Sequence, residues 1–227
     1  MNPGAVRERL QARPGLVVPV GTTEQHGPHL PLGCDTIIVE RLADDLSARF
    51  GIPRAPTVEY GVHAPTHAFP GGASLRRRTL HRVMNELIES WEHGAGVREF
   101  VILTAQASEA HLEALSTIRT DGAKVQVMDV FSLEFGSLLE RPGSPIQGGE
   151  LDTSLLLFLA PELVHMELAQ DFAITPEMLG RYRPGHTRRL PQGSPGSVGF
   201  PSLASAQKGE LLYRFILERI SSCLTGP

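Results

Sequence analysis

The stretch Gly15-Leu16-Val17-Val18-Pro19-Val20-Gly21-Thr22-Thr23-Glu24-Gln25-His26-Gly27-Pro28-His29-Leu30-Pro31-Leu32-Gly33-Cys34-Asp35 decides the fold. Its first six residues are apolar, three of them β-branched valines, and run into Gly21-Thr22-Thr23, which predicts a buried strand delivering a functional loop. Open α/β sheets place their sites at the C-terminal ends of strands, and this loop carries Glu24, His26, His29 and Asp35 there. Glu24 and His26, two apart in an extended segment, point to one side. An imidazole and two carboxylates suit a divalent Zn, Mn or Fe ion, and a carboxylate is able to bridge two ions. The same residues also read as a rigid Gly/Pro loop whose geometry His26 and Asp35 merely fix. Spacing alone does not separate the two.

Outward from this stretch, apolar runs alternate with amphipathic ones. Asp35 to Phe50 sets Ile37, Ile38, Leu42, Leu46 and Phe50 on one helical face and stops at Gly51. Ile52 to Val62 reads as a second, Pro-interrupted strand, and Arg78 to His93 as a helix closed by Gly94 and Gly96. Phe100 to Leu103 is a strand, Ser108 to Asp121 a helix, Val125 to Val130 a strand, Leu151 to Ala160 a helix and Gln207 to Cys223 the last helix. This order predicts an α/β protein with a mostly parallel sheet covered on both faces, in a single domain over 1–227. Pro184 to Pro201 reads as a long Gly/Pro loop.

Composition narrows the function. Lys+Arg 21 against Asp+Glu 25 gives a net charge of -4, and no basic stripe tracks a phosphate backbone, so neither nucleic acid nor an anionic membrane is an expected partner. The longest apolar stretch, Leu155 to Pro161, is far below the roughly 20 residues of a membrane span. The two cysteines, Cys34 and Cys223, lie far apart and no apolar leader follows Met1, which makes the cytoplasm the expected location. The excess residues are 23 Gly, 18 Pro and 9 His.

Pro19 through Asp35 resembles the signature of the creatininase (creatinine amidohydrolase) family, P-x-G-S/T-x-E-Q-H-G-P-H-L-P-L-x-x-D. Phe69-Pro70-Gly71-Gly72-Ala73-Ser74-Leu75 is similar to the family's PGT-x-S turn. Gly148-Gly149-Glu150-Leu151-Asp152-Thr153-Ser154-Leu155 is similar to its HAG-x-x-ETS helix start, and Gly196 to Gly209 to G-x-x-G-x-P-x-x-A-x-x-x-K-G. The resemblance implies a three-layer α/β/α sandwich, assembled as a homo-oligomer, commonly a hexamer. It implies hydrolysis of C–N bonds in small linear or cyclic amides with one or two divalent ions per chain, Zn, Mn or Fe. It assigns Glu24, His26 and Asp35 as metal ligands, with Asp35 bridging.

Two positions depart from the family. Where it has N-G-H-G-G-N or N-G-H-x-E-N with a ligand histidine, this chain has Thr104-Ala105-Gln106-Ala107-Ser108-Glu109, and an amide binds transition metals more weakly than imidazole. Where the helix-start element has a histidine near substrate, Gln147 stands. Asp152 replaces that element's Glu. Gln106, Gln147 and His67 are the expected substrate contacts, and Asp152 or Glu109 the expected acid/base. His63 and His67 read either as substrate-facing or as loop hydrogen-bonding residues. His29 reads as a residue orienting the loop, Cys34 as filler, Arg76-Arg77-Arg78 as a solvated helix start, Trp91 as packing and His111 as a surface residue. The resulting reading is a metal-dependent amidohydrolase. Its rivals are a non-catalytic family member serving as a ligand-binding or assembly subunit and, among enzymes, a deformylase or a peptide-releasing hydrolase of a cofactor pathway.

Overall fold

A computed structural model describes residues 2–63, 69–142, 147–175, 178, 190 and 193–224. Three strands, β1 (Gly15–Val20), β2 (Glu99–Thr104) and β3 (Lys124–Asp129), form a parallel sheet in the order β1-β2-β3. The register sets Val18 beside Ile102 and Ile102 beside Val127. The helices are α1 (Pro3–Ala12), α2 (Cys34–Phe50), α3 (Arg77–Ala95), α4 (Glu109–Ser116), α5 (Glu150–Leu159) and α6 (Ala206–Leu224). The α/β sandwich expected from the alternating pattern is therefore present.

Alternation along each strand divides the core in two. Val17, Val101, Leu103 and Met128 face the layer of α2, α5 and α6, where Ile38, Leu42, Leu46, Leu155, Leu212 and Ile216 are fully enclosed. Leu16, Val18, Val20, Phe100 and Ile102 face the layer of α3 and α4, against Leu80, Met84, Ile88 and Leu115. Trp91 packs half-buried on the second cluster, as its helical spacing predicts. Helix α2 ends at Gly51, whose φ of 68° is the left-handed cap that glycine adopts without strain.

Two expectations are corrected here. Ile52 to Val62 is not a continuous strand: among the described residues it makes only isolated parallel bridges, Val17 with Arg54 and Val20 with Val58. The backbone bonds Val17 N to Pro53 O, Ala55 N to Val17 O, Val58 N to Pro19 O and Gly21 N to Val58 O survive, while Pro19, Pro53 and Pro56 bring no N–H to that edge. The helix expected to Asp121 stops at Ser116. Residues 184–189 and 191–192 of the Pro184 to Pro201 loop lie outside the described residues. No described helix is long and apolar enough to cross a membrane.

Candidate metal centre

The C-terminal ends of β1 and β2 and the first turns of α2 and α5 converge on one buried cluster. The strand can meet the helix because residue 21 is glycine: a Cβ there would lie 2.3 Å from Thr36 Oγ1 and 2.7 Å from Thr36 Cα. Asp35 sits in the first turn of α2, where unpaired backbone N–H groups favour an anion. The Thr22 hydroxyl donates to Asp35 Oδ2 at 2.5 Å. Asp35 Oδ1 lies 3.2 Å from His26 Nε2, yet it has no hydrogen-bond partner among the described residues.

The other nitrogen of that ring settles its orientation. His26 Nδ1 lies 3.2 Å from the backbone carbonyl of Glu24, an acceptor only, so Nδ1 carries a proton and Nε2 is the ring nitrogen turned toward Asp35. Metal-binding histidines are oriented in this way. Cys34 completes a buried His26–Cys34–Asp35 group whose ligand atoms all lie within 4.8 Å of one another. Cys34 is thus both core filler, as expected, and a neighbour of the centre.

Asp152 enters from the first turn of α5. Its Oδ2 accepts from Gly148 N at 2.6 Å, while Oδ1 is buried without a hydrogen-bond partner among the described residues. Gly148 allows this approach: its φ is +64° and a Cβ would lie 1.9 Å from the His26 carbonyl oxygen.

Three carboxylates so enclosed are expensive unless a cation compensates them. Burial, helped by Asp35 and Asp152 and opposed by His26 and Gln106, pushes the Glu24 carboxyl up to about 8. Burial raises Asp152 to about 6, with Asp35 adding and His26 opposing. Burial would depress His26, but the fields of Asp35, Asp152 and Glu24 overcome it and hold the imidazole at about 10. Burial and the three carboxylates lift the Cys34 thiol well above its ordinary range. An Asp35 oxygen without a hydrogen-bond partner among the described residues, a ring nitrogen 3.2 Å from it and an excess of buried carboxylates fit a divalent cation.

The remaining predicted residues divide. Gln106 is at the centre: its Nε2 donates to Glu24 Oε2 at 2.5 Å and its Oε1 accepts from Ser108 N. Gln147 ties down the signature loop, donating from Nε2 to the Gln25 carbonyl at 2.6 Å. His29 orients that loop, as expected, through Thr153 Oγ1 at 2.9 Å; burial and His26 lower it to about 4, so its ring is neutral. Glu109 is exposed at the start of α4, without a hydrogen bond or ion pair to the cluster among the described residues. His67 lies outside the described residues. Arg77 makes an exposed pair with Glu113, consistent with a solvated helix start.

His111 corrects the expectation of a surface residue: it is fully buried. Its Nδ1 accepts from Val62 N at 3.0 Å, which leaves Nε2–H for Thr104 Oγ1 at 2.9 Å. Residues that sequence reasoning missed also shape the site. Thr22 lies inside the signature, next to a strand end, and its position was the available signal. Lys208 anchors the α5 first turn, its ammonium meeting Glu150 Oε1 at 2.5 Å while Glu150 also accepts from Glu140 N and Arg141 N. Lys208 stands in the K-G pair of the C-terminal motif, which was read only for its resemblance.

The comparisons agree with this architecture. A mycofactocin precursor peptide peptidase of Mycolicibacterium smegmatis is 29% identical over 218 residues, covering 92% of this chain and 83% of that protein. A 3-dehydro-scyllo-inosose hydrolase of Thermotoga maritima is 26% identical over 265 residues, covering 98% and 84%. A solved manganese form of creatininase superposes with a TM-score of 0.82 at 24% identity over 99% of this chain and 95% of that one. A mutant creatininase of Zn-Zn type superposes with a TM-score of 0.79 at 23% identity, again over 99% and 95%. The family profile described as creatinine amidohydrolase matches residues 1–224, and the chain belongs to the creatininase family.

Proposed function

We propose that this protein is a metal-dependent hydrolase that cleaves a C–N bond of a small linear or cyclic amide, and that His26, Asp35 and Glu24 would hold its divalent metal. The observation that carries the reading is the His26–Asp35 pair: Nε2 and Oδ1 are 3.2 Å apart and fixed from behind by the Glu24 carbonyl and the Thr22 hydroxyl. Neighbouring ligand atoms around a tetrahedral ion with bonds near 2.1 Å lie about 3.4 Å apart.

A bound Zn, Mn or Fe ion supplies Lewis acidity toward the amide carbonyl and acidifies water. The chain supplies the rest. Asp35 keeps Oδ1 directed at the centre because Thr22 holds Oδ2. Asp152, poised at about 6 and held by Gly148 N, offers Oδ1 to take a proton from the attacking water and return it to the leaving nitrogen. Gln106 steadies the carboxylate of Glu24, and Gln147 fixes the loop that carries His26. The burial of Asp152 and the exposure of Glu109 favour Asp152 for the proton transfer.

A second reading, a non-catalytic member that binds a ligand, is favoured by one observation: two amides, Gln106 and Gln147, stand where the family resemblance expects imidazoles. Turnover of a panel of small amides by metal-loaded protein separates the readings. Asp152→Asn is expected to keep metal and lose turnover, whereas Asp35→Ala loses both. Turnover in metal-stripped protein equal to that of the loaded form would refute the hydrolase reading.

A further inference from the structure

The Glu24 side of the centre lacks an imidazole at position 106, but an imidazole reaches it from elsewhere. His63, on the segment between α2 and α3, places Nδ1 3.6 Å from Glu24 Oε1, and both side chains are about 95% enclosed. That separation is too long for a hydrogen bond. It does match the spacing of two ligand atoms on one tetrahedral ion, as does the 3.2 Å between His26 and Asp35. Glu24 therefore has one oxygen toward an imidazole and the other on the Gln106 amide.

The backbone of His63 is held on both polar groups by a single side chain. His63 N donates to Ser74 Oγ at 3.0 Å, and Ser74 Oγ lies 3.1 Å from the His63 carbonyl, positioned to donate back. The preceding residue is held by the buried His111, which accepts from Val62 N. Two separate anchors, one from the turn after Phe69 and one from α4, thus fix the ring against Glu24.

We infer that His63 supplies to the Glu24 side the imidazole that Gln106 does not, so that Glu24 and His63 hold a second divalent cation beside the one at His26 and Asp35. Soft and borderline transition ions such as Zn take imidazole far more readily than a carboxamide, so the change from His to Gln at position 106 is offset by a ligand arriving from another loop. This inference rests on the metal-centre reading above.

The test is metal content and affinity, measured on folded full-length protein titrated with Zn or Mn alone. Wild type is expected to bind two ions per chain. His63→Gln, which keeps bulk and polarity, is expected to bind one, with the second weakened more than about 100-fold, since changes even outside the ligand shell cost 10–100-fold. In the double variant His63→Gln with Gln106→His, the second ion is expected to return, a rescue that a packing role for His63 does not produce. Should His63→Gln prove unstable, Gln106→His alone in wild type supplies a separate check: it should leave the stoichiometry at two. Equal stoichiometry and affinity in wild type and His63→Gln would overturn the inference while leaving the centre at His26 and Asp35 intact. No bound ion in either protein would instead overturn the metal-centre reading and this inference with it.

Discussion

Replacing His111 by Asn tests how the loop beside Glu24 is held. His111 is buried on the inner side of α4, and burial lowers its imidazole from the ordinary 6.5 to about 4, with Asp35 opposing and His63 adding to the decrease. Above 6.5 the ring is neutral in both folded and unfolded chains. Between 6.5 and 4 the unfolded chain takes up the proton and the folded one does not, so stability is lost as pH falls through that window. The gap is worth about 3 kcal/mol in full, and most of it is lost between pH 7 and pH 4.5. Asn places an amide oxygen where Nδ1 accepts from Val62 N, but it does not titrate. Urea unfolding followed by the single Trp91 reads the difference between the two proteins. At pH 7 the wild type should be the more stable, and by pH 4.5 its advantage should narrow by about 2 kcal/mol. A difference constant to about 0.5 kcal/mol across that range would refute the reasoning, because the ring would then be charging freely in the folded state.

Two further substitutions probe the supports of the centre. Thr22→Val keeps the shape of a fully buried residue and removes the hydroxyl on Asp35 Oδ2, so metal affinity should fall about 10–100-fold in a chelator competition, with the fold retained by circular dichroism. Lys208→Met leaves Glu150, 7% exposed, with two backbone donors among the described residues. The cost is about 3 kcal/mol, or roughly 6–12 °C in melting temperature for a chain of this size, and a loss under about 2 °C would contradict the anchoring role of the pair.

Much of the fold was legible because the deciding signals are local. The β-branched run before Gly21, the 3.6-residue spacing from Ile38 to Leu46 and the glycine stops each act within a few residues. The segment 52–62 was misjudged because a strand depends on the donors of its neighbour, and Pro19 lies on the neighbour. The site divided in the same way. Glu24, His26 and Asp35 fall within twelve positions of one loop and helix start, so their meeting could be read from spacing. His111 looked like a solvated helix residue, since nothing near it in sequence says that Val62 and Thr104 will enclose it. The approach of His63 to Glu24 across 39 positions is equally tertiary. Histidine abundance was a poor guide for the same reason: His29 and His111 hold loops, and among the described residues only His26 and His63 face the buried carboxylates.

Elemental analysis of purified wild type and Asp35→Ala, each supplemented with Zn or Mn and then desalted, tests the central claim most directly. The account predicts at least one transition ion per wild-type chain and at least one fewer in the Asp35→Ala protein, with both proteins folded. Equal metal content in the two, or a wild type that retains no ion after supplementation, would contradict it.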